Sequence, residues 1–103
     1  MKRLDSTLSA LADPTRRQVV DLLRERPRRA GELAARAGTS APAMSRHLRV
    51  LRSTGLVEAG LADDDARARV YRLRPERLRE VQRWLDSFWG GQLDAFKAHA
   101  EDR

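Results

Sequence analysis

The stretch GELAARAGTSAPAMSRHLRVLRSTG, residues 31–55, decides the fold expected for this chain of 103 residues. Its apolar residues follow helical spacing on both sides of a short polar turn. Gly38 is placed to end the first helix, Ser40 is placed to cap the second, and Pro42 is tolerated in the first turn of that second helix. Two short helices joined by a tight turn that contains glycine predict a helix-turn-helix.

The second of these helices divides into an apolar face and a polar face. Met44, Leu48 and Leu51 share one side and are expected to point into the core. The opposite side and its flank carry Pro42, Ser45, Arg46, Arg49 and Ser53. Such a helix suits the major groove of DNA, because its back is anchored while its front meets base edges and phosphates. An ordinary solvated amphipathic helix shows the same division, so the pattern alone leaves both interpretations open.

The remaining sequence predicts further helices and one hairpin around this segment, all within a single domain spanning 1–103. The expected elements are a short helix with Leu4, Leu8 and Leu11, a helix from Asp13-Pro14 to before Pro27, helices at 30–37 and 41–53, strands at 56–59 and 67–73 around a polar loop at 62–66, and a long last helix opened by Pro75. The predicted fold class is mostly α with a small β-hairpin: a winged helix-turn-helix. Gly90-Gly91 lies inside the last helix, and whether it breaks that helix stays open.

The formal net charge of +6 is unevenly distributed along the chain. Residues 1–62 carry 12 basic and 6 acidic side chains, whereas residues 63–103 carry 9 of each. All but two of the 21 basic residues are arginines, which bind phosphate through a planar fork and also read guanine edges. A segregated basic surface favours a polyanionic partner, although solubility alone explains a positive charge equally well.

The predicted hairpin adds two arginines beside the helix-turn-helix. Arg67 and Arg69 are expected on the same side of the second strand, where a wing can reach the minor groove or flanking phosphates. The preceding loop carries Asp63, Asp64 and Asp65, which would repel DNA if they faced it. We therefore expect the tip of the loop to point away from DNA, or the arginines to make contact from the strand. A merely charged strand face is the alternative.

The last helix carries an apolar stripe that is wider than one small core needs. Leu78, Val81, Leu85, Trp89, Leu93 and Phe96 recur every three or four residues, and Trp84 and Phe88 widen the stripe. Aromatic residues in such a position favour an interface. A pocket for an unidentified small-molecule or protein effector could share it. A winged helix that pairs with a protein and does not read DNA is the alternative function.

Several classes of protein are disfavoured by composition. The chain has no cysteine, no apolar stretch long enough to span a membrane and no apolar signal core at its start, so a cytoplasmic location is expected. It also lacks a glycine-rich phosphate loop and a clustered set of histidines and carboxylates, so neither an enzyme nor a bound cofactor is expected.

Five stretches together resemble the ArsR family of bacterial repressors, in the order and at the spacing of that family. They are Leu11-Ala12-Asp13-Pro14-Thr15-Arg16, Gly31-Glu32-Leu33-Ala34, Ser45-Arg46-His47-Leu48-Arg49-Val50-Leu51, Gly55-Leu56-Val57 and Arg67-Ala68-Arg69-Val70-Tyr71-Arg72-Leu73. The resemblance implies a symmetric homodimer built from the first and last helices, and a fourth helix that reads a DNA operator. Two positions depart from the family pattern: Ala41 stands where a base-reading glutamine is frequent, and Ala66 where glycine usually opens the wing.

The resemblance divides the expected site residues into two sets. The DNA-binding core is expected at about 30–73, with contacts from Ser40, Ala41, Pro42, Ser45, Arg46, His47, Arg49, Arg67 and Arg69. Dimerisation is expected through about 1–12 and 75–100, with Leu4, Leu8, Leu11, Leu78, Val81, Trp84, Leu85, Phe88, Trp89, Leu93 and Phe96. For His47, a bond to a phosphate and simple packing at the helix edge remain equally open.

No metal site is expected, although many ArsR-family members sense metals. The third helix has Gly31-Glu32-Leu33-Ala34-Ala35 where the best-known sensor has cysteines. Asp86, His99 and Asp102 imitate part of the spacing of another family site on the last helix, but Phe88 replaces its first histidine. Zinc needs three or four well-placed nitrogen, oxygen or sulfur ligands, which this pattern does not supply.

Overall fold

The computed structural model describes residues 2–65 and 67–101, and in the last helix it describes side chains as far as Trp89. Five helices and one antiparallel hairpin follow each other along the chain. They are α1 (Lys2–Leu11), α2 (Pro14–Glu25), α3 (Ala30–Ala37), α4 (Ala41–Ser53), β1 (Val57–Leu61), β2 (Arg69–Leu73) and α5 (Glu76–Glu101). The fold is a mostly helical winged helix-turn-helix, as the sequence predicted.

Local signals set the helix ends. The Asp13 carboxylate accepts a hydrogen bond from the Arg16 backbone N–H at 3.0 Å and so caps α2. The Ser40 hydroxyl oxygen accepts one from the Ala43 backbone N–H at 3.2 Å and caps α4. Gly38 ends α3 with a left-handed φ of 65°, which costs glycine little because it has no Cβ. The predicted bounds of α3 and α4 are confirmed.

The hairpin forms later in the chain than predicted. Leu56 was expected in the first strand, but it lies ahead of β1 and is fully buried. Its backbone N–H donates to the Leu51 carbonyl oxygen at 3.0 Å, and its own carbonyl accepts from the Arg74 N–H at 2.8 Å. Leu56 is therefore a core residue that packs beneath the end of α4. It is not part of the alternating pattern of β1.

The second strand is also shorter than predicted. β2 begins at Arg69 and pairs antiparallel with β1, so that Leu73 lies opposite Val57 and Arg69 opposite Leu61. Arg67 was expected on this strand but lies in the turn before it, where its backbone N–H donates to the Asp65 carboxylate at 3.0 Å. The two wing arginines therefore do not share one strand face.

A third backbone segment extends the hairpin. Arg28 and Tyr71 exchange two backbone hydrogen bonds, at 3.1 and 2.8 Å, which form an isolated antiparallel bridge. This bridge attaches the middle of β2 to the linker between α2 and α3. The wing is consequently joined to the start of the helix-turn-helix as well as to its end.

The core lies between the helix-turn-helix, α2 and the base of the hairpin. Its fully or nearly buried members are Ala10, Val19, Val20, Leu23, Leu33, Ala34, Met44, Leu48, Leu51, Leu56 and Val57. Because Met44, Leu48 and Leu51 all face this core, the expected orientation of α4 is confirmed.

The last helix begins at Glu76, one residue after Pro75, and its backbone continues through Gly90-Gly91 to Glu101. The glycine pair therefore does not break it. α1 packs against α5 within the same protomer. In the described part of the chain, no helix combines the length and apolarity that a membrane span needs.

Candidate nucleic-acid interface

One face of the helix-turn-helix brings together most of the residues expected to contact DNA. With Met44 and its neighbours directed into the core, the outer side of α4 is solvent-exposed. Among the residues expected to contact DNA, the exposed ones on and just before α4 are Ser40, Ala41, Pro42, Ser45, Arg46 and Arg49. Since α4 has no acidic residue in its first turn, the positive end of its dipole is not neutralised locally. This end of the helix favours an anion.

The arginines of α4 differ from most of the others in their charge environment. Within the described residues, Arg46, Arg49 and Arg52 form no ion pair with a carboxylate, whereas each of α1, α2, α3 and the hairpin has at least one arginine that does: Arg3, Arg24, Arg36 and Arg72. The sequence explains why: no Asp or Glu occurs between Glu32 and Glu58. The face of α4 therefore keeps its full positive charge.

Arg52 was missed by sequence reasoning. It is exposed on the flank of α4 that faces the hairpin, and with Arg49 and Arg74 it lines a shallow groove of about 480 Å³ beside Glu58. The acid-free run between Glu32 and Glu58 is the signal that could have identified it, because that run leaves the arginines of α4 without an acidic residue within one helical turn in sequence.

His47 lies on the opposite flank of α4, half-buried against α2. Its Nδ1 atom is 3.4 Å from the Nη1 atom of Arg16. Both interpretations offered by the sequence remain compatible with this position. One ring nitrogen is engaged at the helix edge, and the other is not hydrogen-bonded within the described residues.

The wing carries its arginines and its acids in different environments. Arg67 and Arg69 are exposed and form no ion pair within the part of the chain that the structure describes. Asp63, in contrast, lies 3.4 Å from the Arg72 guanidinium, and Asp65 lies 3.8 Å from that of Arg29. Two of the three acids are thus partly neutralised, which reduces the repulsion expected between the wing turn and DNA.

Arg28 is a basic residue, but its side chain is buried. Only 3% of its side chain is exposed, and its Nε donates to the Leu22 carbonyl oxygen at 3.0 Å. Its guanidinium also pairs with Glu25 at 2.6 Å and with Glu32. Arg28 therefore holds α2, α3 and the wing together. Its positive charge is not available to bind a ligand.

Glu32 gathers three arginines on one carboxylate oxygen. Arg26 donates at 2.7 Å and Arg36 at 3.1 Å, in addition to Arg28. Burial raises the pKa of Glu32, but the hydrogen bonds from Arg28 and Arg26 outweigh that effect, so its pKa falls below the ordinary value of 4.5. Glu32 is ionised at neutral pH and stabilises the linker between α2 and α3.

A second surface is apolar. Leu85, Phe88 and Trp89 on α5 are 39, 60 and 50% exposed, and the rings of Trp84 and Phe88 meet edge to face with centroids 5.1 Å apart. The half-buried residues of the expected dimer set are Leu8, Leu11, Leu78, Val81 and Trp84. An exposed aromatic cluster of this kind is typical of an interface.

Leu4, Leu93 and Phe96 differ from the other residues of the expected dimer set. Leu4 is only 9% exposed, because α1 already packs against α5 in the same protomer. It therefore presents little surface of its own in the protomer, and its place in the interface stays a prediction. The side chains of Leu93 and Phe96 lie outside the described residues.

The candidate metal ligands at the end of the chain are only partly within the described region. Asp86 is exposed on α5, whereas the side chains of His99 and Asp102 lie outside the described residues. Among the residues that the structure does describe, no group of three His, Cys, Asp or Glu side chains could hold a metal ion.

A helix-turn-helix with a buried back, an uncompensated basic front and an adjoining hairpin defines the winged helix-turn-helix class of DNA-binding proteins. Residues 13–59 match the family model described as bacterial regulatory protein, arsR family. The chain is also 41% identical over 93 residues to the HTH-type transcriptional regulator Rv2034 of Mycobacterium tuberculosis, covering 89% of this chain and 83% of that protein. The protein belongs to the ArsR family of DNA-binding transcriptional regulators.

Other matches agree with this assignment. The solved structure of an ArsR-like transcriptional regulator from Rhodococcus sp. RHA1 superposes with a TM-score of 0.74 at 30% identity, covering 98% of this chain and 92% of that one. The transcriptional repressor SdpR of Bacillus subtilis is 33% identical over 54 residues, which are 52% of this chain and 60% of the repressor. The family consists of regulators of transcription, a class that is generally not enzymatic.

Proposed function

We propose that this regulator is a repressor that binds an imperfect palindromic operator as a homodimer, with one α4 helix in each of two successive major grooves. The observation that carries the proposal is the exposed face of α4, where Arg46, Arg49 and Arg52 have no carboxylate partner within the described residues. Uncompensated arginines on a helix anchored by its other side provide both phosphate affinity and donors for base edges.

The homodimer is supported by the apolar surface of α5. A monomer would leave Leu85, Phe88 and Trp89 in water, whereas a second copy would cover them. An obligate interface of this kind buries on the order of 2,000 Å² or more in total. A two-fold axis through it requires a two-fold operator, with half-sites about one helical turn apart.

The proposed contacts follow from position. Ser40, Ala41 and Pro42 lie at the positive N-terminus of α4, where a phosphate or a base edge would be met first. Ser45, Arg46 and Arg49 lie along the outer face and are proposed to contact bases or phosphates of each half-site. Arg67 and Arg69 are proposed to hold flanking phosphates from the wing. The protein would act where the chromosome lies, in the cytoplasm.

The decisive experiment begins with selection of bound sequences from random duplexes, followed by footprinting of the selected operator. Arg46→Ala/Arg49→Ala is expected to abolish protection while leaving the dimer intact, since neither side chain faces the core. Each base-reading arginine removed should cost about 1–3 kcal/mol of binding. Arg79→Ala/Arg83→Ala, which removes the same charge from exposed positions on α5, is the matched control and should still protect the operator.

Retained protection by the α4 double variant would show that another element reads DNA. A protein-interaction module, which the exposed Phe88 and Trp89 favour, is the second candidate function. It predicts that the wild-type protein shows no salt-dependent binding to any duplex.

A further inference from the structure

Two neighbouring arginines at the start of α2 cap the end of α1. Arg16 donates from Nε to the Ala10 carbonyl oxygen at 2.7 Å and from Nη2 to that of Ser9 at 3.4 Å. Arg17 donates from Nη1 to the carbonyl oxygens of Leu11 and Ala12, at 2.7 and 3.2 Å. Because α1 has no basic residue in its own last turn, these two side chains supply the cations that its negative end favours.

Only one of the two arginines, Arg16, also contacts α4. Arg16 is half-buried, and its remaining Nη1 atom lies 3.4 Å from Nδ1 of His47 on α4. Arg17 is exposed and forms no hydrogen bond with α4 among the described residues. One side chain thus joins the end of α1, the start of α2 and the flank of α4.

The chemistry of this contact determines which ring nitrogen of a neutral His47 carries the proton. A guanidinium group can only donate hydrogen bonds, so Nδ1 of His47 must be the acceptor. The neutral ring then carries its proton on Nε2, which becomes a hydrogen-bond donor. The pKa of the Asp13 carboxyl, which caps α2, is lowered first by its hydrogen bond from the Arg16 backbone N–H and to a smaller extent by the nearby His47 ring.

We infer that Arg16 is a positioning residue for DNA binding, which holds His47 so that its Nε2–H can donate to a backbone phosphate of the operator. The inference rests on the proposed function, which places α4 on DNA and the dimer surface on α5. Through Arg16 the orientation of α4 is tied directly to α1, the helix that packs against α5. Arg17 caps the same helix end without that connection, and it therefore serves as a matched control.

The test compares Arg16→Met with Arg17→Met, each alone and combined with His47→Ala, at about pH 8, where an ordinary imidazole is neutral. Both arginine variants lose one positive charge and one cap on α1, so both should lower the melting temperature to a similar extent. Arg16→Met should in addition weaken binding to the selected operator about three- to tenfold relative to Arg17→Met, which is the range for one missing hydrogen bond.

The double-mutant cycle separates positioning from simple loss of structure. In the His47→Ala background, Arg16→Met should weaken binding no more than Arg17→Met does. If the Arg16→Met protein does not fold, Arg16→Lys takes its place in the cycle, because lysine keeps the charge but lacks the planar fork that reaches both α1 and His47.

Two results would overturn the inference. Equal affinities of the Arg16 and Arg17 variants would show that Arg16 only caps α1. An undiminished Arg16 effect in the His47→Ala background would show that it acts through another route. A wild-type protein that fails to discriminate the selected operator from random duplex would instead contradict the proposed function, and this is measured before any variant is made.

Discussion

The guanidinium group of Arg29, at the N-cap of α3, lies 3.8 Å from a carboxylate oxygen of Asp65 in the turn of the wing. Both side chains are about half exposed, so the pair is accessible to a competing anion. Arg29 begins the first helix of the helix-turn-helix, whose N-terminus favours phosphate. A DNA phosphate that approaches this helix therefore competes with Asp65 for the same cation.

Removing the competing carboxylate is predicted to strengthen DNA binding. Asp65→Asn should raise operator affinity by up to about fivefold, the range of an exposed ion pair. The gain should shrink when Arg29 is replaced by alanine, because the cation that is released is then absent. Fluorescence anisotropy with labelled operator measures both effects. Asp21→Asn, which frees Arg24 on α2, is the control, and a gain of equal size there would point to net charge alone.

The wing arginines are predicted to contribute affinity without sequence preference. Arg67→Ala/Arg69→Ala should weaken binding to selected and random duplexes alike, because phosphates carry no sequence information. The slope of log K against log salt should become shallower by about 0.9 for each phosphate that is no longer neutralised by an arginine. Arg74→Ala, at the end of the same hairpin but paired with Glu58 and Glu76, should leave the slope nearly unchanged. A weakening confined to the selected operator would indicate base reading by the wing.

The exposed aromatic surface of α5 is predicted to hold the dimer together. Phe88→Glu places a charge at a residue that is 60% exposed in the protomer, and it should convert the dimer to monomers at micromolar concentration. Light scattering gives the mass directly, and operator affinity should fall with it because two half-sites are no longer bound together. Ser87→Glu adds the same charge at the neighbouring exposed position and should leave the dimer intact. A dimeric Phe88→Glu protein would locate the interface elsewhere.

Protonation of Glu32 in acid is predicted to weaken the cluster of Glu32 and its three arginines, which holds the linker between α2 and α3 to the wing. Because its folded-state pKa is lowered below 4.5, its contribution to the free energy of unfolding is complete above that pH and is lost as the pH falls through the folded-state pKa. Glu32→Gln should lower the free energy of unfolding at neutral pH by about 1–3 kcal/mol and flatten its decline in acid. Urea denaturation over a pH series measures both.

The control for this prediction is Glu58→Gln. Among the described residues Glu58 forms an ion pair with Arg74 alone, at 3.8 Å and with both side chains half exposed, so its replacement should change the free energy of unfolding little. If Glu32→Gln unfolds with the same pH dependence as the wild type, the three-arginine cluster does not contribute to acid stability.

Most of the candidate site could be predicted because its signals are local. The oxygens of Asp13 and Ser40 reach backbone N–H groups three residues away, and the faces of α4 follow from a period of 3.6 residues. The wing was predicted less well. Leu56 and Arg67 both belong to stretches in which apolar and polar residues alternate, which predicts a strand. In the structure Leu56 is buried in the core ahead of β1 and Arg67 lies in the turn before β2, and the alternation alone does not distinguish these positions from strand positions.

By itself the sequence determined the helix-turn-helix, the basic outer face of α4 and the apolar stripe of α5, because caps, helical periodicity and charge depend on residues within one or two turns of each other. Tertiary structure decided which arginines outside α4 remain available to DNA. Arg28 is buried where the linker between α2 and α3 bridges to the wing, Arg29 meets Asp65 from a distant part of the chain, and Arg16 reaches His47. The physical reason is that an ion pair or hydrogen bond between distant segments exists only once packing has brought them together, and no local pattern encodes that approach.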